Sequence, residues 1–369
     1  MHWMCPRVPE CVKYSALVTQ IPRGHDFRRL GSSLSDRGGA GAMDSGIETR
    51  RFGLGMEISA ESIAFVLVLI LALACSHVPR HPDVDDLEAG FSDRMAGAHF
   101  RSLAGLAPRI PGSRGDATAR AYLKREFQRT GASVREERDG DRLHVIAELP
   151  GRSADIVLLV APYPALESTD WVDDSGAALL LELARVFALA RPAYTLRFAL
   201  AETRRLRKVQ GSDARRQGGS SLWAARHRVA EAGRSLARTI EMQAGKGTVR
   251  AVITFDVSAR PGLRIARDLR SHPVFRELFW QSASALGLAA TFPTDGGWVS
   301  PNGLHTGFRE RSVDRLLALV DESWARPDLA GRPPPDAGAG SLQGLASVGE
   351  VTVEALSRLM HRLAKIDAF

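Results

Sequence analysis

Residues 176–189 read GAALLLELARVFAL, apolar nearly all round at helical spacing, and they lie between two short apolar runs, IVLLVA at 156–161 and LRFALA at 196–201. A helix without a polar face has to be enclosed on every side. Short apolar runs bounded by polar turns suit strands buried on both faces. A largely parallel sheet with helices packed against it satisfies both demands, so the expected fold class is α/β, as three α/β/α layers around a mostly parallel mixed central sheet.

The rest of the chain extends the alternation into one domain at 91–369. Helices are expected near 93–106, 117–130, 222–232, 273–286 and 341–366. Strands are expected near 133–137, 143–149, 251–256 and 316–320. Polar or Pro/Gly-rich stretches at 204–219 and 326–340 read as loops. No internal repeat is evident.

The net charge is +7, but the 49 basic residues are 44 Arg and 5 Lys, dispersed along a chain that holds a single Asn, Asn302. This is the mark of a coding bias and not of a basic stripe, so nucleic acid is not an expected partner.

The amino-terminal quarter reads differently. Residues 1–55 have no helical or strand period and are set aside as an extension. Residues 63–74, IAFVLVLILALA, form an uncharged apolar run of 12 residues, short for a bilayer span and suited to the core of a signal peptide within 56–75. Ala74 before Cys75 resembles the lipobox at which bacterial lipoproteins are cleaved and acylated, which makes Cys75 the lipidation candidate; an uncleaved membrane anchor is the other reading. Either implies an exported protein held at a membrane, with 76–90 as linker. No cysteine follows Cys75, so the exported part would hold no internal disulfide.

Four segments carry a resemblance to a known family: IPGSRGDATARAYLKREFQRTGASV, SGAALLLELARVF, RIARDLRSHPVFRELFWQSASALGL and SLQGLASVGEVTVEALSRL. Over roughly 91–363 the chain resembles the zinc exopeptidases that include secreted aminopeptidases and glutaminyl cyclases, with the bacterial cyclase branch nearer. The resemblance implies their scaffold and, in an intact member, a zinc that polarises a carbonyl while a glutamate moves the proton.

The site motifs depart from that pattern one by one. The family's Ala-His-Tyr-Asp is Ala161-Pro162-Tyr163-Pro164 here, and proline cannot bind zinc. The bridging aspartate falls at Asp173 or Asp174, which would serve equally as a helix cap. The family's Asp-Gly-Glu-Glu becomes Glu202-Thr203-Arg204-Arg205, leaving Glu202 as the candidate base and placing Arg204, Arg205, Arg207 and Lys208 where a divalent metal would be repelled. Asp256 keeps a ligand position at the end of a strand, where capping a turn is its alternative. His305 and Phe308 persist from a Asp-Asp-His-x-Pro-Phe loop that has lost both aspartates. Trp324 persists from Trp-His-Thr, whose histidine is absent. Zinc needs three or four N, O or S ligands, and Asp173, Asp174 and Asp256 supply at most vestiges of a set.

Two functions follow. One is a non-catalytic relative, without a cofactor, whose old cleft, bordered by His305, Phe308, Trp324, Arg204 and Arg205, binds a peptide or an acidic ligand; for the arginine loop a merely solvated surface is the alternative. The other is an active zinc aminopeptidase or glutaminyl-peptide cyclotransferase with divergent ligands. Local frame errors in the gene are a third account of the divergent motifs.

Overall fold

The computed structural model describes residues 90–164, 174–203, 222–242, 248–295, 297–300, 302–325 and 339–367, all within the compact unit Cys75–Phe369. The apolar run at 63–74, Cys75, Asp173, Arg204 and Arg205 lie outside these residues. Among the described residues no helix is long and apolar enough to cross a membrane.

In chain order the elements are α1 (Asp93–Ala104), α2 (Arg114–Arg129), β1 (Ser133–Asp139), β2 (Arg142–Leu149), β3 (Ser153–Pro164), α3 (Ser175–Leu189), β4 (Tyr194–Thr203), α4 (Leu222–Met242), β5 (Val249–Asp256), β6 (Ile265–Ala266), α5 (Pro273–Ala285), α6 (His305–Arg309), β7 (Leu316–Asp321), α7 (Glu322–Ala325) and α8 (Ala339–Asp367). The strands form one sheet of seven in the order β1-β2-β4-β3-β5-β7-β6. β4, β3, β5 and β7 are mutually parallel, while β1, β2 and β6 join antiparallel at the flanks. The expected mixed α/β sheet is therefore present.

Alternation along the central strands divides the interior in two, because successive side chains point to opposite faces. Val157, Leu159, Phe198, Leu200, Ile253 and Phe255 join a large apolar cluster that also takes residues of α1, α2, α3, α5 and α8. Leu158, Val160, Ala199, Val252 and Val320 join a smaller one with Val229 and Leu236 of α4 and Leu304 and Phe308 beside or in α6. The largely apolar α3 is buried along most of its length, with β3 and β4 on one side and α1 and α8 on the other.

The entry of the chain into this domain is tied down. Ser92 N–H donates to Glu182 Oε1 at 2.8 Å, and Arg185, which grips both oxygens of Glu182, donates to the Gly90 carbonyl at 3.1 Å. The Phe91 ring fills the notch at Gly349 of α8, where any Cβ would overlap it.

The sequence reading placed most elements within a few residues. It ended α4 at 232, whereas the helix runs to Met242. Gly233, just past the expected end, is helical, and its bare backbone packs directly on the Leu304 carbonyl, a space a side chain would block. The short β6, α6 and α7 were not expected, being too brief to show a period.

Candidate functional site at the carboxyl ends of the parallel strands

In open α/β sheets ligands bind beyond the carboxyl ends of the parallel strands. Here those ends carry Pro162, Tyr163 and Pro164 on β3, Glu202 and Thr203 on β4 and Asp256 on β5, with Asp174 at the start of α3 and His305 at the start of α6.

Asp174 occupies the position before α3 but makes no side-chain cap. Its Oδ1 instead accepts from Arg109 Nη2 at 2.7 Å, in an ion pair whose side chains are 1% and 0% exposed. Arg109 arrives from the loop between α1 and α2, donates also to the Leu103 carbonyl at 2.6 Å, and lies 5.6 Å from the centre of the Tyr163 ring. The Tyr163 hydroxyl donates to Asp116 Oδ1 at 3.2 Å. Burial pushes the Tyr163 phenol upward, Arg109 opposes this and Asp116 adds to it, so it stays protonated at neutral pH. Asp116 is fixed in turn: Ser113 caps α2 by accepting from Asp116 N–H, and Asp116 Oδ2 accepts from Gly112 N–H and Arg120. Gly176 sets the first turn of α3 close on β3, since a Cβ there would press on Ala161 and Pro162.

Asp256 is wholly buried and turns to the other face of the sheet, toward α6. Its Oδ2 accepts from Leu304 N–H at 3.1 Å and lies 3.6 Å from His305 Nδ1. Asp256 Oδ1 and His305 Nδ1 have no hydrogen-bond partner among the described residues. The loop reaches this close only because residue 303 is glycine, as a Cβ there would overlap Asp256 Oδ2.

Glu202 is buried, and its Oε2 accepts from Leu143 N–H on β2, the neighbour of β4 on the side away from β3. Its own N–H donates to His144 Nδ1 at 3.2 Å. His144 Nε2 therefore carries the proton and donates to Ser235 Oγ on α4 at 2.9 Å, and Ser235 donates to Asp139 Oδ2 on β1 at 2.5 Å. Burial drives the His144 imidazole down to about 4, with Arg142 and Arg238 adding to the effect and Asp139 opposing it.

Phe308 and Trp324, expected at the border of a cleft, are both about 3% exposed and pack in the smaller apolar cluster under α4 and α6. Of the expected site residues, then, the structure brings Asp256 and His305 together, and directs Asp174 and Glu202 to separate partners. Asp173, Arg204 and Arg205 lie outside the described residues. Sequence reasoning did not single out Arg109, Tyr163, Asp116 or Gly303. An arginine set between Pro108 and Ile110-Pro111 was the only signal of the first, and nothing in the letters tied it to Asp174.

A zinc ion fits these residues poorly. Among the described residues no three His, Cys, Asp or Glu side chains come together. One candidate carboxylate is already neutralised by a buried guanidinium, and a second is engaged by a backbone amide on the far side of β4.

No protein-family model and no curated protein sequence matches the chain. Solved structures do. A leucine aminopeptidase precursor from Bacteroides thetaiotaomicron superposes with a TM-score of 0.57 at 16% identity, over 73% of this chain and 97% of that one. The glutaminyl cyclase of the same organism gives 0.57 at 17% identity, over 73% and 98%. A Zn-dependent exopeptidase from Parabacteroides distasonis gives 0.58 at 16% identity, over 73% and 98%. At such identities the likeness is one of fold, and it is the fold that the four sequence segments led us to expect.

Proposed function

We propose that this chain, which carries the fold of the zinc exopeptidases and bacterial glutaminyl cyclases, is a non-catalytic relative of them: an exported protein, anchored at a membrane through an acylated Cys75, that binds a peptide or an acidic ligand beyond the strand ends. The observation that carries the reading is the Arg109–Asp174 ion pair. It commits the carboxylate at the head of α3 to a guanidinium in a place screened from water. The replacement of potential ligands by Pro162 and Pro164 points the same way.

The second reading, an active zinc aminopeptidase or glutaminyl-peptide cyclotransferase, draws on Asp256 and His305. They place a carboxylate oxygen and an imidazole nitrogen that have no hydrogen-bond partner among the described residues in one buried spot. Two donors fall short of the three that a catalytic zinc takes from its protein. Elemental analysis after exposure to zinc and exhaustive dialysis separates the readings. We expect no retained zinc and no turnover of aminoacyl or N-terminal glutaminyl peptides. About one zinc per chain would overturn the non-catalytic reading.

A further inference from the structure

Asn302 is the single asparagine of the chain, and a glycine follows it. The side-chain amide carbon of an asparagine lies within reach of the backbone nitrogen of the next residue, because attack on it closes a five-membered ring. Glycine at that next position puts no side chain in the way and lets the backbone bend toward the attack. Asn302 is exposed to water in a bend just before α6, outside any helix or strand. Gly303, which would supply the attacking nitrogen, is buried.

The atoms around Gly303 govern both the rate of such an attack and its consequence. The nitrogen must first lose its proton, and that N–H donates to Thr306 Oγ1 at 3.1 Å. The acceptor is a side-chain hydroxyl and not a carbonyl of a helix or strand ladder, so rotation about one side-chain bond releases it. Such an opening exposes an amide to solvent base, as in hydrogen exchange. On its other side Gly303 stands against the carboxylate of Asp256: a Cβ there would overlap Asp256 Oδ2 and crowd His305 Cε1. Leu304 N–H donates to the same Asp256 oxygen at 3.1 Å. Residue 303 therefore has little room for a longer backbone leading into it.

We propose that Asn302 is a site of spontaneous modification, converted by water to aspartate and isoaspartate, and that the Thr306 hydroxyl restrains the conversion. Solvent base takes the Gly303 amide proton, the nitrogen attacks Asn302 Cγ, and the new N–Cγ bond closes a succinimide. The Cγ–Nδ2 bond breaks, and Nδ2 takes up a proton and leaves as ammonia. Water then opens the ring. Breaking the N–Cγ bond gives aspartate, whereas breaking the bond to the main-chain carbonyl carbon gives isoaspartate, in which the chain runs through Cβ and Cγ. Either route consumes a water, releases an ammonia and leaves a carboxylate in place of a neutral amide. The isoaspartate link also inserts a methylene into the backbone just before Gly303, where it should push the start of α6 off Asp256. The conversion needs neither zinc nor a bound ligand and goes beyond both functional readings.

The test is incubation of the folded full chain at physiological temperature and mildly alkaline pH, followed over time by peptide mapping and mass spectrometry. The peptide that holds Asn302 is expected to gain the mass of an amide turned into an acid and to resolve into aspartate and isoaspartate forms, faster at higher pH. Thr306→Val, which removes the acceptor of the Gly303 N–H, should speed the conversion about fivefold, as loss of an ordinary hydrogen bond does. Thr306→Ser keeps the hydroxyl and should convert near the wild-type rate. Asn302→Gln should not convert at this position, because its ring would have six members. Absence of conversion in both the wild type and Thr306→Val overturns the proposal, and so does an equal rate in the two. Should the valine variant fail to fold, the wild type in concentrated urea replaces it, and equal rates in the folded and unfolded chain overturn the proposal.

Discussion

A carboxylate and a guanidinium withdrawn together from water depend on each other far more than the fold depends on the pair. Removing Asp174 alone leaves the Arg109 charge buried without compensation, and removing Arg109 does the same to Asp174. Asp174→Ala is therefore expected to lower unfolding stability by about 3–5 kcal/mol. The double change Arg109→Leu with Asp174→Leu should recover much of that loss, because apolar replacements leave no orphaned charge. Urea titration of the wild type, both single variants and the double variant checks this; additive losses would show that the two charges do not depend on each other. The letters offered Asp174 two roles, ligand or cap, and its observed partner is neither. The partner stands 65 residues earlier in the chain, so only the tertiary fold could reveal it. The same holds for Glu202, whose carboxylate substitutes for a backbone acceptor opposite Leu143.

At the scale of elements, period decides what can be read in advance. α3, β3 and β4 announced themselves because a buried element must be apolar on every side, and α1, α2, α5 and α8 did so by their apolar stripes. The second half of α4 was hidden by Gly233, and α6 by its five-residue length. α4 and α6 cross with glycine on both sides: Gly233 faces the Leu304 carbonyl, and Gly307 faces the backbone of Gly233 and Arg234. Gly233→Ala tests that crossing with opposing terms. Helix propensity favours alanine by about 1 kcal/mol, while an overlap with backbone atoms that cannot swing aside costs about 1–3 kcal/mol. The overlap should win, giving a lower urea midpoint; a raised midpoint would mean the helices part without cost.

For the whole molecule, the buried His144 couples stability to pH. Its imidazole is neutral in the folded protein down to about pH 4, while in the unfolded chain it titrates near 6.5. A depressed folded value means the unfolded state binds the extra proton first as pH falls. The stabilising contribution is thus full above about 6.5, declines through the interval down to about 4, and is gone below it. The lowering from 6.5 to about 4 corresponds to roughly 3 kcal/mol over that interval. Protonation would also put a hydrogen on Nδ1, where the Glu202 amide now donates, and so would loosen the end of β4. Denaturant midpoints at pH 7, 5.5 and 4.5 should fall steeply for the wild type. They should fall less for His144→Gln, which does not titrate; equal slopes would rule His144 out as the cause.

The clamp on Gly90, Phe91 and Ser92 has a mechanical meaning. Tension applied along the chain from its amino-terminal side enters the domain where Glu182 and Arg185 grip the backbone and Phe91 is wedged against α8. The load passes into α3, which is buried along most of its length, before it can peel α1 away. Tension from that side thus meets the buried α3 before it reaches the strand ends.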